Sequence, residues 1–174
     1  MSERDGASVH VHAVRVRAQH PGRVQHDGRE RLVQLDALDV VDLLARLGKR
    51  GLEILATILG SAYIADEYAY LARTPAKAAA RVLEKAGKSI DDVDRVEINE
   101  AFSSVTVNSL KMLGADPEKA NVNGGAVALG HPVGASGARI LGTMIYELRR
   151  NGGGLGLAAI CSGGGQGDAL LLEV

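Results

Sequence analysis

The 174-residue chain is 46% hydrophobic and 24% charged, the make-up of one ordinary globular domain with apolar residues enough for a sizeable core. A net charge of −1 and an aromatic content of 3% argue against nucleic acid or an anionic membrane as partner and against stacking platforms for bases. One cysteine, Cys161, excludes an internal disulfide and a thiolate zinc site. No window approaches the roughly 18 apolar residues of a spanning helix, and residues 1–18 alternate charges where a signal peptide has an apolar core, so the expected location is the cytoplasm.

Residues 1–50 are a poorly assigned segment. Positions 8–18 alternate like a strand through Val9, Val11, Val14 and Val16, a polar stretch covers 23–31, and 35–47 has the spacing of an amphipathic helix. None of this joins the pattern that begins at Gly51. His10 and His12 share one face of the first strand, but no third ligand is near, and no metal site is expected.

From 51 to 174 the pattern is regular. A buried strand over 52–63 is followed by a helix with Thr74 as N-cap, Pro75 at its first position and Gly87 at its close. A short strand over 93–98 leads to a helix over 101–113 closed by Gly114, and after the Pro117 loop a further short strand is expected within 121–129. The helix over 134–150 places Ile140, Leu141, Met144, Ile145 and Leu148 on one broad face, and Arg149 and Arg150 suit the negative end of its dipole. Two apolar strands, 155–161 and 168–174, are joined by a loop short enough for a hairpin. The order βαβαβαββ predicts an α/β layered domain with a mostly parallel sheet and an antiparallel last strand. The 101–113 and 134–150 helices are poor in charge, and the second begins with small residues. One helical layer is therefore expected to be covered by something outside this chain, and self-association is expected.

Most of the 22 glycines fall after position 113, a density that suits tight turns and close backbone approach to a ligand. Cys161 opens the turn Cys161-Ser162-Gly163-Gly164-Gly165-Gln166-Gly167, and His131 lies in Gly130-His131-Pro132, the one histidine beyond position 26. A thiol and an imidazole brought together perform acid/base and nucleophilic chemistry. Each has a plainer reading: Cys161 as an inert core residue, His131 as a turn residue, Asn99 as a strand end and helix cap. The glycines do not match a phosphate cradle, since no Gly-x-x-x-x-Gly-Lys-Ser/Thr occurs and no Gly-x-Gly-x-x-Gly joins a strand to a helix. Lys77, Arg81, Lys85 and Lys88 form a basic side read as solvent-facing.

Together, Asn99-Glu100-Ala101-Phe102, Gly130-His131-Pro132-Val133-Gly134-Ala135-Ser136-Gly137 and Cys161-Ser162-Gly163-Gly164-Gly165 resemble the three C-terminal signatures of the thiolases, in order and in spacing. The resemblance covers about 51–174 and implies the C-terminal half of a thiolase fold. It also implies chemistry on acyl-CoA, with CoA thioesters as substrate and no permanently bound cofactor. By that resemblance Cys161 is the base that takes the α-proton, and His131 donates to the thioester oxygen. Asn99 holds a water completing that oxyanion site, and the Gly163 N–H serves a second one. Ala101 and Phe102 line the pantetheine channel.

The departure is that the family's second, nucleophilic cysteine has no counterpart here. The resemblance thus implies a fragment or subunit of an acyl-CoA C-acyltransferase, inactive alone in full turnover. Its site would be completed by a thiolase N-terminal half or within a homo-oligomer. The competing reading is a non-catalytic domain that acts as an assembly or binding module. Ketoacyl synthases share the fold by resemblance but use two histidines, and only His131 lies in the matching region.

Overall fold

The computed structural model describes residues 13–16, 22–26, 29–33 and 53–174. Its strands are β1 (Ala13–Val16), β2 (Gly22–His26), β3 (Arg29–Val33), β4 (Ile54–Ala65), β5 (Arg95–Ile98), β6 (Leu155–Ser162) and β7 (Gln166–Glu173). Its α-helices are α1 (Thr74–Ala86), α2 (Ser103–Leu113), α3 (Ala126–Leu129) and α4 (Ser136–Arg150). A five-stranded sheet runs in the order β1-β4-β7-β6-β5, while β2 and β3 pair antiparallel as a separate ribbon.

Side-chain alternation along the strands sorts the core into two faces. Leu155, Leu157, Ala159 and Cys161 of β6 pack on one side with Val82 and Leu83 of α1 and Val105 of α2. Ala158 and Leu172 point to the other side, against Ile140, Met144, Ile145 and Leu148 of α4. β6 is buried along nearly its whole length, as expected of a strand with helices on both faces. Gly156 lets α4 sit close: a Cβ there would stand 2.7 Å from the Met144 sulfur. The alanine face of α1 (Ala76, Ala78, Ala79) likewise allows a near approach to the sheet. Both α1 and α2 end at a left-handed glycine, Gly87 at φ 63° and Gly114 at φ 67°, as the sequence predicted.

The strand directions match the expectation, with one difference in placement. β4, β5 and β6 run one way and β7 runs opposite, but β7 lies between β4 and β6 in the interior of the sheet. The hairpin after β6 folds back beside it, and the slot on the far side of β7 is taken by β4. As a result the sheet's pairings are two parallel and two antiparallel.

Three expectations are corrected. The strand expected within 121–129 is reduced to one parallel bridge, Val96 to Ala120, followed by the helical turn α3. Extension stops because Asn121 takes φ 47° and Gly124 φ 84°. The Asn121 side chain then substitutes for a strand backbone: its Oδ1 accepts the Ile98 N–H and its Nδ2 donates to the Ile98 carbonyl, both at 2.9 Å. Thr74 is not the cap of α1. It is fully buried, and its hydroxyl donates toward the carbonyls of Leu71 and Gln166 across to β7. Finally, the first segment does connect to the rest, because β1 pairs parallel with β4, Val14 facing Ala56. The helix expected over 35–47 and the His10 and His12 pair lie outside the described residues.

Candidate functional site

Parallel strands of an α/β sheet present ligands at their carboxyl ends, and β4, β5 and β6 end along one edge. Asn99 follows β5 directly, and its N–H donates to the Ala159 carbonyl at 3.0 Å, carrying the ladder one step past Ile98. Its side chain is fully buried. Nδ2 lies 3.4 Å from Nε2 of His131, and Oδ1 has no partner among the described residues. Asn99 does not cap α2, whose N-cap position is Phe102 without a side-chain bond.

A chain of polar contacts delivers His131 to that point. The Glu100 carboxylate accepts from Asn121 Nδ2 and from the Val127 N–H, both at 2.9 Å, and so ties the start of α3 to the end of β5. α3 ends at Gly130, at φ 96°, and the chain turns into His131 and Pro132. The Pro132 carbonyl accepts the N–H groups of Ala135 and Ser136 at 2.7 and 2.9 Å, which starts α4. Ser136 Oγ then lies 2.5 Å from His131 Nδ1. Val133, next to the imidazole loop, is 82% exposed, so this corner of the edge is open.

One strand over, Cys161 lies two residues beyond Ala159 and pairs with Gly167 of β7. The intervening turn takes Gly164 and Gly165 at φ 79° and 80°. It is clamped by the Asp66 N–H, which donates to the Gly165 carbonyl at 2.8 Å, and a Cβ on Gly165 would stand 2.8 Å from the Asp66 carbonyl oxygen. Arg73, then Lys77, hold the Asp66 carboxyl well below the usual carboxylate range. The Cys161 thiol packs into the core on the α1 and α2 side and makes no hydrogen bond to Asn99 or His131 among the described residues. Burial pushes this thiol up, outweighing its backbone hydrogen bond, so the glycine turn does not by itself favour the thiolate as the sequence reading assumed.

The remaining expected residues divide. Gly163 is exposed, and a Cβ on it would meet nothing within 4 Å. Phe102 is 67% exposed, whereas Ala101, its neighbour in the chain, packs against the interior cluster. The structure thus joins Asn99 to His131 and places Cys161 and Gly163 on the adjacent strand end. Sequence reasoning passed over Ser136, Glu100 and Asn121. The first two lie inside the quoted motifs, and Asn121 had its signal in an asparagine at the end of an expected strand.

Beneath α4, Glu97 of β5 is buried with its Oε2 3.8 Å from Nη1 of Arg139 and without a hydrogen-bond partner. Burial pushes its carboxyl up to about 7, against the opposing pull of Arg139. Beside α4 a cleft of about 520 Å³ opens along the sheet, lined by Tyr63, Gly137, Ile140, Leu141, Ile160 and Leu170. Among the described residues no cluster of three or more metal-ligating side chains occurs, and no helix is long and apolar enough to cross a membrane.

Comparison with known proteins identifies the family. Residues 52–174 match the family described as thiolase, C-terminal domain. The chain is 45% identical over 129 residues to the acetyl-CoA acetyltransferase of Shinella zoogloeoides, covering 74% of this chain and 33% of that protein. It is 49% identical over 123 residues to acetyl-CoA acetyltransferase 1 of Arabidopsis thaliana, covering 71% and 30%. With the Schizosaccharomyces pombe acetyl-CoA acetyltransferase it shares 41% identity over 148 residues, covering 85% and 36%. The chain thus spans about a third of the length of these curated relatives. With three motifs at one sheet edge and a family match over 52–174, this chain belongs to the thiolases and carries their C-terminal domain.

Proposed function

We propose that this chain supplies the Asn99, His131 and Cys161 part of an acyl-CoA C-acyltransferase site, which makes or breaks a carbon–carbon bond between two acyl-CoA units. The observation that carries the reading is the approach of Asn99 Nδ2 to His131 Nε2, 3.4 Å apart, at the strand end next to the Cys161 turn. An α-proton of a thioester leaves at neutral pH only if the growing enolate oxygen meets prearranged donors while a base takes the proton. The ring N–H of His131 and a water held by Asn99 fill the first role, and the Cys161 thiolate fills the second. The exposed Gly163 admits the thioester of an acyl-enzyme to its N–H. CoA enters as substrate and not as a resident cofactor.

The acyl-cysteine step needs a nucleophilic thiol that this sequence does not contain. The reading assigns that thiol to a thiolase N-terminal half seated along the open cleft beside α4, where Leu141, Ile160 and Leu170 remain partly uncovered. A second reading, a non-catalytic assembly module, is favoured by one observation: burial pushes the Cys161 thiol up, away from the thiolate.

Exchange of the acetyl-CoA methyl protons with deuterated water separates the two readings. The catalytic reading expects exchange that increases when a thiolase N-terminal half is added. It also rises with pH as the thiol ionises, and it falls on the order of 100-fold in Cys161→Ala. No exchange, even with the added half, leaves the assembly reading.

A further inference from the structure

We infer that Ser136 is a positioning residue that sets the tautomer of His131: its hydroxyl donates to Nδ1, so that Nε2 carries the ring proton and faces the site beside the Asn99 amide. Ser136 is the first residue of α4 and fully buried, which fixes its hydroxyl between two neighbours. These are His131 Nδ1 at 2.5 Å and the Pro132 carbonyl at 3.1 Å. One hydroxyl proton must serve one of them. The Pro132 oxygen already accepts two N–H groups, from Ala135 at 2.7 Å and Ser136 at 2.9 Å, which occupy both of its lone pairs. Nδ1 has no other donor among the described residues, and its contact is the shorter one.

A neutral imidazole carries one proton, so an accepting Nδ1 leaves Nε2 as the N–H. Nε2 and Asn99 Nδ2 are then two donors 3.4 Å apart that cannot bond each other. Both are then free to donate outward, Nε2 to a substrate oxygen and Nδ2 to the water beside it, which is the arrangement that stabilises a developing oxyanion. The opposite tautomer would turn Nε2 into an acceptor for the Asn99 amide and remove the ring donor. The use made of this donor rests on the acyl-CoA reading above, whereas the tautomer itself is measured with no acyl-CoA present.

Long-range proton–nitrogen NMR of the labelled chain, at a pH where the ring is neutral, tests this. His131 is assigned by its loss in His131→Gln. The expected spectrum shows Nε2 protonated, Nδ1 unprotonated, and a protected Ser136 hydroxyl proton correlating with Nδ1. In Ser136→Ala the excess of the Nε2–H form falls about three- to tenfold, as loss of one hydrogen bond of ordinary net strength requires, and Ser136→Thr restores it. A wild-type spectrum with Nδ1 protonated overturns the inference, whether or not the alanine variant folds. So does a tautomer ratio unchanged in Ser136→Ala. An absence of acyl-CoA exchange alongside the expected spectrum would count against the functional reading alone.

Discussion

On the face of the sheet covered by α1 and α2, side chains from four strands and two helices close over one another, and Val82, Val96, Ile98, Leu157 and Leu171 are almost wholly removed from solvent. On the opposite face, among the described residues, α4 covers β5 and β6 by itself. Beside it a cleft opens over β4 and β7, and beneath the helix the buried Glu97 is imperfectly paired with the half-buried Arg139 of α4. The finished face holds the domain together, and the unfinished face carries the imidazole and the buried carboxamide. The Cys161 thiol, at the end of β6, packs on the face covered by α1 and α2.

Paired truncations break this contrast most strongly. Leu171→Ala, at a fully buried position, is expected to cost about 3 kcal/mol, and Leu141→Ala, on the rim of the cleft, less than about 1 kcal/mol, both read from urea unfolding. Equal costs would mean that the second face is as tightly packed as the first.

Glu97 gives the next effect. Burial raises its carboxyl from 4.5 to about 7, so the native chain keeps a proton that the unfolded chain has released. Stability therefore falls as pH rises from about 4.5 through about 7, by at most about 3 kcal/mol. Glu97→Gln should flatten that slope. A slope retained in the variant would show that a group other than Glu97 carries it.

A smaller effect belongs to Glu100, which ties the β5 end to α3 through two charge-assisted bonds. Glu100→Gln is expected to cost about 1–2 kcal/mol and to speed hydrogen exchange at the Val127 amide, with exchange at Leu157 changed only through the global loss. Unchanged exchange at Val127 would show that the loop bearing His131 holds its shape without the carboxylate.

How much of this was legible in the sequence follows from how local each cause is. The helices closed by Gly87 and Gly114, and the glycine turn after Cys161, depend on neighbours a few residues apart, so their positions in the sequence were readable. The convergence of Asn99 and His131 was legible only through the family resemblance, because nothing in their spacing requires it. Three features were out of reach because they are set by distant partners. β7 takes an interior slot since β4, about a hundred residues earlier, pairs with its far edge. The strand expected after Pro117 became a side-chain ladder because one asparagine reaches both backbone groups of Ile98. The Cys161 thiol was expected to respond to its own turn, yet its ionisation is governed by the core it packs into.

In the proposed function the segments after β5, before α4 and after β6 meet at one substrate carbonyl. The most direct measurement is an NMR titration of the labelled chain with acetyl-CoA. Resonances of Asn99, His131, Cys161 and Gly163 are expected to shift together, along a single binding curve. Shifts confined to the cleft around Leu141 and Ile160, with those four residues unmoved, would contradict that reading.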